Sequence, residues 1–362
     1  MIWLALKPDP QRGSSTNEIE QAEQISDLYR PTMNSVGMVA NQNLSGRSTS
    51  GVVAALLGLA GGAGFLVLMV VFSVYALGNY GAVMFFGTPV ITGALAAYCL
   101  NTPTRRTLAA TLTHSVVTLA VACCAFIAFG LEGGICIVMA LPIMIPLGLL
   151  GAFVGFAISS SVRRPGQNEF HGMVGSVLLL PLLGAVESRL QPVPTFEIAT
   201  TMEIAATAED VWDHVVQFSE ITEPPEWYFR AGFAFPLRSR IDGTGVGAIR
   251  YCEFTTGAFV EPITTWDRPH HLAFNVTEQP EPMFELTPYR HIHPPHLDNS
   301  FRSLRGEFRI VDLPNGKVRL EGRTWYQLRI YPIAYWSIWT DEIVHRIHGR
   351  VLRHIKREVE GI

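Results

Sequence analysis

An all-α transmembrane bundle followed by an α+β domain, in which a curved antiparallel sheet wraps a long C-terminal helix, is the architecture this sequence predicts. Three observations predict it. Charge is absent from three long stretches of the first half: between Arg47 and Arg105, from Leu108 to Leu131, and from Gly133 to Val162. From Phe196 onward charge returns, with 18 Lys and Arg against 23 Asp and Glu. The chain then ends in an amphipathic helical pattern preceded by segments of period two.

Over the 362 residues, 48% are hydrophobic and 16% charged, against roughly 25% charged in an ordinary soluble domain. Residues 1–50 are rich in Gly, Ser, Asn and Gln and read as a disordered tail. Residues 51–187 form the transmembrane region. A bilayer core of about 30 Å needs around 20 apolar residues in a helix. Val52–Leu77, Gly81–Leu100, Leu108–Gly130 and Gly134–Ser159 meet that length. A fifth stretch, Phe170–Val186, stands at its lower edge and contains Pro181, which helices in a membrane tolerate.

Orientation follows from the excess of positive charge expected on the cytoplasmic side. Arg47, Arg105–Arg106 and Arg163–Arg164 occupy the N-terminal flank and alternate loops, so the N-terminus is expected in the cytoplasm of a multi-pass cell-membrane protein. Four spans leave the C-terminal domain cytoplasmic; five place it outside, the arrangement the fifth stretch favours. No Asp, Glu, Lys or Arg sits mid-span, which argues against an ion or proton path. The pairs Gly58/Gly62 and Gly151/Gly155 suit close helix packing and leave room for a homo-oligomer. Of the five cysteines, Cys99, Cys123, Cys124 and Cys136 lie in apolar segments and only Cys252 lies outside them, with no zinc-type spacing.

Residues 188–195 make a stiff linker around Gln191-Pro-Val-Pro-Thr195, and residues 196–362 the second domain. Glu197–Ala205 reads as a strand. Thr207 then caps a helix with Asp210 in the capping-box position, and Val211, Trp212, Val215, Val216 and Phe218 form its apolar face. Asp242-Gly-Thr-Gly245 reads as a turn between strands near Arg238–Ile241 and Val246–Phe254. Strands near Ala258–Trp266 and His271–Val276 follow. Asn315-Gly316 joins Ser303–Val311 to Val318–Ile330 in a hairpin, because Asn-Gly favours the primed turns. In the last strand Val318, Leu320, Gly322, Thr324, Tyr326 and Leu328 alternate with charged residues and Trp325. The closing helix, Ile333 to Glu358, carries Trp336, Trp339, Ile343, Val344, Ile347, Val351 and Ile355 on one stripe. Arg346, Gly349, Arg350, Arg353 and Arg357 fall opposite, and His348 lands inside the apolar stripe. This is the order of a helix-grip domain, whose sheet and helix leave an apolar cavity between them.

Met202-Glu-Ile-Ala-Ala-Thr-Ala-Glu-Asp-Val-Trp212, Gly243-Thr-Gly-Val-Gly-Ala-Ile-Arg250, Leu272-Ala-Phe-Asn-Val276 and the long closing helix resemble the SRPBCC superfamily. That group includes START lipid-transfer, birch-pollen-allergen-like and polyketide cyclase/dehydrase-like domains. The resemblance covers about Phe196 to Gly361 and implies a cavity for a hydrophobic ligand. It supplies no shared catalytic residue. The transmembrane region, and the proline-rich segment Glu278–Ser300, are departures from the single-domain form; loops of that length often serve as lids or binding loops.

Ligand-binding candidates are Trp227, Trp325, Trp336 and Trp339 as aromatic walls, Tyr251 and Glu253 as residues sharing an inward strand face, and His348 as a buried imidazole. His291, His293 and His296 join them from the proline-rich segment. Pro294 and Pro295 prevent the i,i+4 spacing of a helical metal site, so no metal and no cofactor is assigned. Catalytic residues stay unassigned, although Glu253, Glu261 and Glu285 would suit acid–base work if buried. The acidic balance argues against nucleic acid; the apolar spans imply the lipid bilayer as a partner, and the resemblance implies a hydrophobic small molecule. The leading expectation is a membrane-anchored binding domain for a lipid or similar molecule. Behind it stand a cyclase, dehydratase or hydrolase acting on an apolar substrate, and a sensor or assembly factor that binds a protein.

Overall fold

The computed structural model describes residues 50–161 and 167–361. The expected tail and the Arg163–Arg164 pair lie outside the described residues. Helix α1 runs over Ser50–Ala76 and α2 over Val83–Asn101. Helices α3 (Leu108–Ala128) and α4 (Gly134–Ser161) follow. These four are long and apolar enough to cross a membrane. The fifth stretch is a helix as well, α5 (Gln167–Leu190), with Pro181 inside it. It is not among the four.

Small residues decide how these helices meet. A Cβ on Gly151 would stand 1.9 Å from the Val90 carbonyl oxygen, and one on Gly155 2.4 Å from that of Ala94. Helices α2 and α4 therefore touch backbone to backbone, as small residues permit. Gly58 and Gly62 face Ala96 and Thr92 of α2 in the same way. Both glycine pairs serve the close helix packing that their spacing suits, here within the chain.

Two π-helical turns, Phe72–Ala76 ending α1 and Val83–Gly87 opening α2, flank the connection that carries Tyr80. Such turns displace side chains from their usual row and concentrate at functional sites. The Glu187 carboxylate of α5 accepts from the N–H groups of Ala82 (2.6 Å) and Val83 (3.0 Å). An anion there satisfies orphan donors at the start of α2.

From Thr195 the chain builds one seven-stranded antiparallel sheet. Its strands are β1 (Thr195–Ile204), β2 (Pro236–Asp242), β3 (Ile249–Phe254), β4 (Gly257–Asp267), β5 (His271–Asn275), β6 (Phe301–Leu313) and β7 (Lys317–Leu328). Their spatial order is β1-β7-β6-β5-β4-β3-β2. Helices α6 (Ala208–Val216) and α7 (Trp227–Arg230) lie between β1 and β2, the single turn α8 (His296–Asn299) precedes β6, and α9 spans Ile333–Glu360. The expected details hold where local chemistry sets them. Thr207 Oγ1 accepts from the Asp210 N–H at 3.3 Å, and Asn315 and Gly316 both take positive φ, 77° and 69°.

Helix α9 lies across the concave face of the sheet. Its Val351, Leu352 and Ile355 join Val211, Trp212, Leu272 and Leu320 in the main core. Arg350 departs from the expected solvated face, being 4% exposed. Its guanidinium donates to the Glu223 carbonyl at 2.7 Å and approaches Glu226 at 3.4 Å. The helix is held from a second side by the chain between α6 and α7, and helical periodicity cannot register that contact.

The helical region and the sheet domain share a core. Tyr80, Met84, Phe85 and Ala140 pack with Ile198, Tyr326, Leu328, Ile330, Trp336 and Val344. Tyr331 donates its N–H to the Tyr80 carbonyl at 2.8 Å, and the Tyr335 hydroxyl donates to the Met139 carbonyl. The sheet domain is therefore packed onto the helices rather than tethered beside them.

Candidate functional site

The proline-rich segment threads between the two halves. Gly134 donates its N–H to the Leu286 carbonyl at 2.8 Å. At the opening turn of α4, Ile135 donates its N–H to Glu285 Oε2 at 3.1 Å. Gly133 makes that approach feasible, because a Cβ there would stand 2.0 Å from the same carboxylate oxygen. Met283 and Leu297 pack against Ile135, which carries α8 and its first residue His296 onto the end of the bundle.

His296 is thereby enclosed. Its Nδ1 lies 3.1 Å from Glu132 Oε2 and its Nε2 3.2 Å from Glu285 Oε1. Cys136 Sγ stands 3.0 Å from Nε2. Tyr80 donates its hydroxyl proton to Glu132 Oε1 at 2.6 Å and sets its ring edge-on to the imidazole. Glu132, Glu285 and His296 are each under a tenth exposed. Burial opposes charge on His296, yet Cys136, Glu132 and Glu285 around it carry its pKa well above the ordinary histidine value. Burial also pushes up the Glu285 carboxyl, but His296 and the Ile135 N–H outweigh it and hold that group below its usual range.

Three cavities adjoin one another, and the first two touch this cluster. The first, about 70 Å³, lies among the apolar helices and is walled by Tyr80, Met84, Phe126, Glu132, Cys136 and Trp336. The second, about 130 Å³, shares Cys136, His296, Ile330 and Trp336 with it and continues beneath α9. The third, about 120 Å³, shares Phe254, Phe259, Phe301, Val344 and Ile347 with the second and lies under the sheet. An apolar cavity of about 150 Å³ suffices to bind a small aromatic molecule.

The third cavity carries polar groups. Arg250 of β3 and Glu261 of β4 are cross-strand partners and form a fully buried ion pair. Arg250 also donates from Nε to the Val216 carbonyl at 3.2 Å, and the rings of Phe218, Phe274 and Phe308 surround its guanidinium. Burial lifts the Glu261 carboxyl above its ordinary value, and Arg250 limits the rise. His348 sits between two hydroxyls, Nε2 2.8 Å from Thr324 Oγ1 and Nδ1 3.1 Å from Thr200 Oγ1. The surface it keeps faces this cavity. Burial, with His345 nearby, pushes its pKa down to about 4.

Of the expected ligand residues, Trp336, His296 and His348 line cavities. Trp339 packs half-buried against the shared core. The others are elsewhere. Trp227 is 73% exposed, at the start of the single-turn helix α7. Tyr251 and Glu253 point outward: Arg240 stacks on the Tyr251 ring at 3.9 Å, and Arg238 donates to Glu253 at 2.7 Å. The inward face of β3 is Arg250 and Cys252, so the expected alternation is inverted. A buried arginine opposite a buried glutamate does not register as an apolar face. Trp325 is also outside, beneath Arg305 at 3.9 Å and donating Nε1–H to Glu197 at 3.2 Å. His291 and His293 stay at the surface with Glu281, and His293 also meets Asp298 at 2.7 Å.

Sequence reasoning missed Arg250, Glu132 and Cys136. The signal for Glu132 was present, since it is the one charge between two long apolar stretches. Cys136, one helical turn further on, lies in an apolar segment with no zinc-type spacing to mark it.

The order of elements, the single antiparallel sheet and the cavity beneath α9 define a helix-grip domain. Residues 195–331 match the family described as polyketide cyclase / dehydrase and lipid transport. This domain is of the SRPBCC type, and four long apolar helices precede it. Similar solved structures include truncated norcoclaurine synthase from Thalictrum flavum, 16% identical over 47% of this chain and 96% of that one, with TM-score 0.31. The Zhui aromatase/cyclase from Streptomyces sp. R1128 is 15% identical over 46% and 94%, with TM-score 0.30. A protein from Nitrosospira multiformis is 13% identical over 45% and 96%, with TM-score 0.31. A search of curated protein sequences gave no match.

Proposed function

We propose that this chain is a membrane-anchored protein that binds a lipid or other apolar small molecule between the sheet and α9, and that the molecule enters through the apolar helices. One observation carries the reading: the three cavities adjoin, from among α1–α4 to the underside of the sheet. A molecule dissolved in the bilayer would reach the grip cavity without crossing water. Apolar burial, at roughly 25 cal/mol per Å², supplies the affinity, and the ordered polar groups of the innermost cavity would receive a single polar end.

A second reading, chemistry of cyclase or dehydratase type on an apolar substrate, is favoured by the innermost cavity alone. There a neutral imidazole, His348, and the Arg250–Glu261 pair reach the same space. General acid–base groups need such proximity to a substrate.

The test uses the full chain, purified in mild detergent and extracted for mass spectrometry, beside the variant Ile347→Trp. Ile347 walls both inner cavities, so the larger ring obstructs them. An apolar molecule retained by the parent and depleted in the variant, with both melting cooperatively, is the expected result. Equal contents in the two proteins would refute binding in these cavities.

A further inference from the structure

The cluster at the end of the helices is more than a buried ion pair. Glu132 Oε2, Glu285 Oε1 and His296 Nδ1 are buried without a hydrogen-bond partner, although each lies within 3.2 Å of an oppositely charged or ring atom. The carboxylates approach the imidazole without the alignment a hydrogen bond needs. Leaving buried polar atoms unpaired is unfavourable, because they give up water and gain nothing in exchange. Donor atoms of Glu132, Cys136 and His296 lie within 4.8 Å of one another.

We infer that Glu132, Cys136 and His296 bind a divalent transition metal of the zinc class, with Glu285 orienting the histidine. The donor types fit, because thiolate, imidazole and carboxylate together form the common zinc set. The neighbours fit as well. Glu132 and Glu285 stand on opposite ring nitrogens of His296. With the metal on Nδ1, beside Glu132, the other ring nitrogen faces Glu285, the arrangement that fixes the tautomer of metal-bound histidines. Tyr80 holds the second oxygen of Glu132, and the Ile135 N–H holds the second oxygen of Glu285. Binding displaces the Cys136 thiol proton and the proton on the His296 nitrogen that takes the metal, and both leave to solvent.

The donors come from both halves of the molecule. Glu132 and Cys136 bracket the start of α4, one helical turn apart, whereas His296 arrives from the segment before β6. A metal here would fasten the sheet domain to the helices. All three residues also line the first cavity, so a metal held by them would border apolar space. Three protein ligands and one open position are the pattern of zinc sites that accept a water or a substrate oxygen. The inference does not depend on the apolar ligand proposed above.

The experiment loads the full chain, purified in detergent and stripped with chelator, with cobalt(II), and reads absorbance. The expected result is a thiolate-to-cobalt charge-transfer band, saturating at one metal per chain and displaced by zinc. Cys136→Ser loses that band while weaker cobalt binding persists. His293→Ala, in the exposed group Glu281/His291/His293, leaves the band unchanged. A protein that stays metal-free, with no band and a melting temperature indifferent to zinc, overturns the inference. So does a band that survives Cys136→Ser. Because Cys136→Ser is a one-atom change, loss of its band with retained cooperative melting cannot be ascribed to misfolding.

Discussion

Two buried charge clusters sit at opposite ends of the same run of cavities, and they are built on different terms. Under the sheet, Arg250 and Glu261 are matched across strands. Neither residue leaves a buried side-chain polar atom without a hydrogen-bond partner, and three phenylalanine rings enclose the guanidinium. At the end of the helices, Glu132, Glu285 and His296 converge with atoms left over. A closed pair balances its own charges and calls for no further group to complete it. An open cluster keeps unsatisfied donors and acceptors that a further group must complete. Burial alone does not separate the two; hydrogen-bond completeness does.

The largest effect expected from this contrast is at Glu261. Glu261→Gln leaves the Arg250 guanidinium buried without a counter-charge, and breaking such pairs costs about 3–5 kcal/mol. Replacing both partners, Arg250→Met with Glu261→Leu, restores most of that loss, since apolar substitutes for a buried pair are commonly neutral or better. Thermal melts of the three proteins in one detergent measure both outcomes. A tolerated single variant would mean that the pair is not closed, and the comparison would fail.

The same contrast explains what the sequence could disclose. Periodicity and turn chemistry disclose elements: Thr207 capped its helix, Asn315-Gly316 turned its hairpin, and β7 kept its apolar face. These depend on neighbours along the chain. The inward face of β3 does not, because Arg250 is admissible only with Glu261 opposite it. Aromatic composition misled for a similar reason. Trp325 and Trp227 resemble cavity walls by type, but one lies under Arg305 and the other is solvated. At the junction, His296 looked like one of three equivalent histidines. Its neighbours Glu132 and Cys136 are some 160 positions away, so nothing local set it apart from His291 and His293.

A second way to sharpen the comparison uses His348, which shares the cavity of the closed pair. Its pKa is about 4 in the folded chain, against roughly 6.5 when unfolded. The folded state therefore favours the neutral ring. The stabilisation is fully present above about pH 6.5 and is lost as pH falls toward 4, by at most about 3 kcal/mol over that window. Melting temperature should drop through this range more steeply in the parent than in His348→Gln, which cannot be protonated. Parallel curves for the two proteins would show that the cavity admits charge, and would weaken the description of that end as closed.

The smallest effect is expected at the open end. Glu285→Gln keeps a carbonyl oxygen that can accept from the Ile135 N–H, so the tie to α4 survives. It removes one of two carboxylates facing a single imidazole, and Glu132 alone can balance His296. The loss in metal-free protein should be roughly 1 kcal/mol, the worth of one hydrogen bond, well below that of Glu261→Gln. Both residues are buried glutamates beside a cationic partner, so burial and charge predict similar costs for the two. Equal losses in parallel denaturation curves would mean that the junction is a closed ion-pair network like the one under the sheet. Unequal losses in the stated order would place the spare valence of this molecule at Glu132, Cys136 and His296.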